Sequence, residues 1–156
     1  MAEEGLGSRF PAASQSPGLM LWRVTNRWQA AMRAALAPHE LTHVQYVLLA
    51  SLTWLADREP ERLVTQVDLA GFASTDPMMT SQVLRSLERA GLVERLPHPT
   101  DGRTTLVQIT GLGRSTVEDA TVTLNNDVFA DIGISDGESR TLAESIQTLR
   151  RSAGDF

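Results

Sequence analysis

The sequence predicts a mainly α-helical fold with one small β-hairpin late in the chain, and three observations carry that prediction. Apolar residues recur every three or four positions in six separate windows. Four of those windows open on a residue able to cap a helix start. Only 92–110 alternates with a period of two, around a polar tip rich in turn residues. With 156 residues the chain is one domain by the usual prior of about 100–200 residues per domain.

Residues 1–18 are rich in Pro, Ser, Gly and Ala and read as a flexible tail. They start acidic and lack a basic-then-apolar leader, which points to the cytoplasm. A helix follows over 19–36, with Leu21, Val24, Trp28, Met32 and Ala35 on one stripe and Pro38 marking its end. Thr42 opens the next helix, with Gln45 completing a capping box. Val44, Val47, Leu48, Ser51, Leu52 and Leu55 form its buried face. A charged loop at 57–62 leads to Leu63-Val64, a short strand expected to close the hairpin sheet. Thr65 and Asp68 start a third helix, with Val67, Leu69, Ala70 and Phe72 as its apolar positions. Gly71 weakens it by about 1 kcal/mol relative to alanine.

Ala73-Ser74-Thr75 is a tight turn, and Asp76-Pro77 begins the helix after it. Asp caps the free N–H groups, and Pro suits the first helical position, where its missing donor was unpaired anyway. The expected buried stripe is Met79, Val83, Leu87 and Ala90, and Gly91 stops the helix. Two strands follow, 92–96 and 106–110, joined by Pro97 to Arg103. Residues 111–132 read as one long helix through Val117, Ala120, Leu124 and Val128. Ser135 and Glu138 cap a last helix carrying Leu142, Ile146 and Leu149.

Two helices joined by a short turn and followed by a hairpin make a winged helix-turn-helix, a shape suited to entering one DNA groove and touching the next. The helix after the turn shows Met78, Thr80, Ser81, Gln82 and Arg85. Ser81, Gln82 and Arg85 are the candidates for base edges and nearby phosphates, since Gln pairs with adenine and Arg with guanine in bidentate fashion. Thr75 and Thr80 suit phosphate, assisted by the N–H groups at the Pro77 helix start. Met78 either touches a thymine methyl or packs on the preceding helix. Arg103, at the hairpin tip, suits a narrow minor groove. Asp101, two residues away, is expected to hold that guanidinium in one rotamer; the plain alternative is a turn Asp beside a solvated Arg.

Asp101-Gly102-Arg103, then Val107-Gln108-Ile109-Thr110 and Gly113, resembles the wing signature of the MarR family of winged helix-turn-helix regulators. Arg89-Ala90-Gly91-Leu92-Val93 matches the family's approach to the wing, and the resemblance spans roughly residues 18 to 152. It implies a homodimeric transcriptional regulator, a repressor more than an activator, bound to a pseudo-palindrome in double-stranded DNA. It also implies a division of the chain. Residues 19–40 and 111–152 would form a helical dimerisation region, and 41–110 the DNA-binding region. A small aromatic or anionic effector is implied too, with Trp22, Arg23, His39, His43 and Tyr46 as candidate contacts. Surface histidines, an interface tryptophan and a core tyrosine explain these residues without any ligand, and that plain explanation is the stronger of the two.

Cysteine is absent, which excludes disulfides, cysteine-rich metal sites and regulation by thiol oxidation. The three histidines give no ligand triplet, and no nucleophile motif or phosphate-binding glycine loop occurs. No metal, cofactor, membrane span or enzymatic activity is expected. The net charge of −5 is unusual for a DNA reader and favours a rival, a winged-helix dimer that has lost DNA binding and acts as a protein-interaction module. Salt dependence separates the two, because phosphate contacts weaken steeply with ionic strength.

Overall fold

The computed structural model describes residues 9–129 and 136–152. A short 3-10 turn, Ala13–Gln15, precedes α1, Pro17–Leu36. That helix starts two residues before the expected position because Ser16 caps it, accepting the Leu19 N–H, with Pro17 in the first turn. A second 3-10 turn, Ala37–His39, bends the chain into α2, His43–Arg58. The Thr42–Gln45 capping box is fully formed. Then come α3, Gln66–Ala73, and α4, Pro77–Arg89, the two arms of the helix-turn-helix. Strands β1, Val93–Pro97, and β2, Thr105–Ile109, pair antiparallel with Val93 opposite Ile109 and Pro97 opposite Thr105. α5, Gly111–Leu124, follows the wing, and α6, Asp136–Ser152, ends the described chain.

The core lies where α1, α2 and α5 meet the helix-turn-helix, built from Met32, Leu36, Leu48, Leu49, Leu52, Leu69, Leu84, Leu87, Val107 and Leu124. Three stripes differ from the periodicity. In α4 the inward face is Thr80, Leu84 and Leu87 with Val83 half-buried, whereas Met79 and Ala90 are exposed. The inward face is therefore turned by roughly 60°, with Val83 and Leu87 common to both stripes. In α3 only Leu69 and Ala70 are buried, and Val67 and Phe72 face outward. In α1 burial is confined to Met32, Ala35 and Leu36, while Leu21 and Val24 are exposed.

Leu63-Val64 does not form a strand. The Val64 carbonyl accepts the Val107 N–H at 2.9 Å, and the next residue, Thr65, makes a single bridge to Leu106. α5 is α-helical only to Leu124 and continues as a π turn over Asn125–Phe129, so the single helix expected to residue 132 is interrupted. Ser135 of the last capping box lies outside the described residues.

Candidate nucleic-acid interface

The turn between α3 and α4 is held by three local devices. Ser74 takes a left-handed conformation at φ 52°, and the Thr75 N–H returns to the Ala70 carbonyl. Asp76 caps α4 by accepting the Met79 N–H at 2.9 Å. Thr80 is wholly buried, and its hydroxyl lies 2.7 Å from that of Thr75 and donates to the Asp76 carbonyl. This corrects the expectation for Thr80. Its hydroxyl secures the turn from inside and has no path to a phosphate, and Thr75 is half-buried against it.

The other predicted residues of α4 lie outward. Pro77, Met78, Gln82 and Arg85 are exposed, Met78 at 75%, and Ser81 is half-buried on the same side. No described carboxylate pairs with Arg85. Arg95, by contrast, is paired with Glu88 at 3.6 Å and half-buried.

At the wing tip Asp101 behaves differently from expectation. Its carboxylate accepts the Arg103 backbone N–H at 3.1 Å and the Thr104 hydroxyl at 2.7 Å. Those two bonds, and the His98 charge nearby, hold its pKa below the ordinary aspartate value. Asp101 thus shapes the turn, and the Arg103 guanidinium has no described acidic partner. Thr104, which the motif skips, completes the tip by donating to Asp101 and by joining its carbonyl to the His98 N–H.

The five effector candidates divide. Trp22 and Arg23 border a shallow depression on the outer face of α1 with Asn26, Arg27 and Ala30. His39, His43 and Tyr46 gather at the bend between α1 and α2. His39 Nε2 lies 2.8 Å from the Thr123 hydroxyl, and the Tyr46 hydroxyl 3.1 Å from that of Thr121, both on α5. The His43 ring meets Trp28 edge-on at 5.0 Å. Burial first, and the Arg33 charge next, lower the His43 pKa. A separate cleft of about 340 Å³ opens at the wing root between α2, β2 and the start of α5, with Arg62 and Arg114 on its rim. Both arginines are already paired with carboxylates. Among the described residues no three metal-ligating side chains cluster, and no helix is long and apolar enough to cross a membrane.

A helix-turn-helix with an exposed polar second arm and a hairpin beside it defines the class, a winged helix-turn-helix protein. The MarR family model matches residues 41–105. An HTH-type transcriptional regulator of Bacillus subtilis, YdcH, is 42% identical over 106 residues, covering 68% of this chain and 71% of its own. The chain belongs to the MarR family of transcriptional regulators. Its fold is similar to that of CouR from Rhodococcus jostii RHA1 bound to p-coumaroyl-CoA, with a TM-score of 0.77, 27% identity, and 90% and 95% of the two chains covered. A mutant MarR from Escherichia coli complexed with operator DNA gives a TM-score of 0.74 at 25% identity, over 85% and 91%.

Proposed function

We propose that the protein is a cytoplasmic, non-enzymatic repressor that binds a pseudo-palindromic operator as a homodimer. One observation carries this reading: Gln82, Arg85 and Arg103 are all exposed, and neither guanidinium has a described carboxylate to neutralise it. α4 lies in the major groove, where Ser81, Gln82 and Arg85 meet base edges and phosphate, with Met78 against a thymine methyl. Thr75 and Pro77 border the phosphate at the helix start. Arg103 enters the adjacent minor groove, on a tip that Asp101 shapes. The structural likeness to an operator-bound MarR supports this reading.

Residues 41–110 form the DNA-binding region, and 19–40 with 111–152 the dimer platform. Leu21, Trp22 and Val24 of α1 and Leu142, Ile146 and Leu149 of α6 leave apolar faces uncovered within one chain, as a platform completed by a second copy requires. His39, His43 and Tyr46, which gather where α1, α2 and α5 meet, are the effector contacts. CouR, seen bound to p-coumaroyl-CoA, supports an aromatic class of small molecule. Nothing in the geometry favours the protein-interaction rival.

Selection of bound fragments from genomic DNA tests the proposal. Enrichment of paired half-sites about one helical turn apart is the expected result. Replacing Gln82 or Arg85 by Ala should relax base preference at one position by about 1–3 kcal/mol. No enrichment by a folded dimer would contradict the reading.

A further inference from the structure

The first turn of α2 touches the reading helix and the dimer helices at once. The Gln45 side chain is committed at one end, where Oε1 accepts the Thr42 N–H at 2.8 Å. That contact fixes the amide plane and leaves Nε2 to donate to the Ser86 hydroxyl of α4 at 3.2 Å. Ser86 is four residues from Gln82, so it shares a helix flank with a proposed base reader. The next residue along α2, Tyr46, points about 100° away and meets Thr121 of α5. Thr121 gives its own proton to the Val117 carbonyl, so Tyr46 is the donor in that pair. His39, just before α2, meets Thr123, two residues further along α5, and His43 packs on Trp28 of α1.

We propose that Gln45 is a positioning residue: by bridging the first turn of α2 to Ser86, it holds the recognition helix at a fixed angle to α5. Its value for operator binding rests on the regulator reading above. A dimer reads two half-sites at once, so an angle fixed within each chain becomes a fixed distance between the two reading helices. The bridge is a single hydrogen bond between half-buried groups. It is therefore strong enough to narrow the angle and weak enough to be altered by events at α5.

The test uses the full chain, which has no cysteine of its own. Arg89→Cys on α4 and Asp119→Cys on α5, both exposed, carry spin labels, and excess unlabelled protein ensures that each distance is read within one chain. Ser86→Ala removes the bridge and leaves the Thr42 cap intact. Gln45→Met removes the bridge and the side-chain arm of the capping box, while the Thr42 hydroxyl still accepts the N–H of residue 45. The expected result is one narrow distance in the parent protein and an equal broadening in both variants, with no more in the double variant. On the selected operator, preference for the native half-site spacing over one base pair longer should fall about fivefold, the worth of an ordinary hydrogen bond. A merely structural contact would lower the melting temperature and leave distance and spacing preference unchanged, which would overturn the proposal. Broadening in the variants, when the unlabelled parent protein binds no DNA, would refute the regulator reading and leave the positioning role standing.

Discussion

A threonine hydroxyl buried beneath a helix turn behaves unlike the same hydroxyl on a surface. Thr80→Val keeps the shape but strands the Thr75 hydroxyl, whereas the Asp76 carbonyl still accepts the N–H of residue 80. Denaturant unfolding should show a loss of about 1–2 kcal/mol. Unchanged stability with weakened DNA binding would instead return Thr80 to the phosphate. His43 carries a pH prediction with a definite sign. Its pKa is lowered by burial and by Arg33, so the unfolded chain binds more protons than the folded one as pH falls. The penalty is absent well above the ordinary histidine value of about 6.5 and grows below it, until the folded value is passed. The melting temperature should fall on acidification through that window, and less so in His43→Gln. An identical pH profile in the two proteins would refute the assignment. Arg103 was legible as a tip residue from its turn-rich surroundings. The partners of Asp101 were not, because a spacing of two residues is equally compatible with the guanidinium and with the backbone N–H.

The wing root explains at the level of elements why Thr110 and Gly113 stand together. The Thr110 hydroxyl donates to the Gly91 carbonyl at 2.7 Å and accepts the Gly113 N–H at 2.9 Å, which ties the end of α4 to the start of α5. A Cβ on Gly113 would collide with the Leu92 carbonyl oxygen. Gly113→Ala should therefore push α5 off the hairpin and cost more stability than Gly71→Ala, whose Cβ meets open space. Equal melting temperatures would contradict this. Helix starts were well legible, because caps are local chemistry: Thr42, Thr65 and Asp76 all accept the predicted N–H groups. Faces were less so. In α4 the signal was misled by Met79, an apolar residue outside the core, and by Thr80, a polar one inside it. The π turn after Leu124 carries no proline or glycine to announce it.

Across the whole molecule, a net charge of −5 coexists with a reading surface whose arginines are free of described acidic partners. Local field, more than total charge, sets DNA affinity. The same scale accounts for the exposed stripe of α6. Leu21, Trp22 and Val24 of α1 are exposed in one chain as well, and the periodicity of Leu142, Ile146 and Leu149 showed the stripe without showing what covers it. Leu142→Glu with Ile146→Glu should shift the sedimentation coefficient from dimer to monomer at micromolar concentration. A monomeric parent protein would remove the platform from the account. The most direct test of the central claim is a binding titration of the selected operator and a scrambled duplex at two salt concentrations. The account predicts tighter binding to the operator, with affinity falling steeply as salt rises and a slope shallower by about two in Arg103→Ala, one for each subunit. Equal affinity for the two duplexes, or binding indifferent to salt, would contradict it.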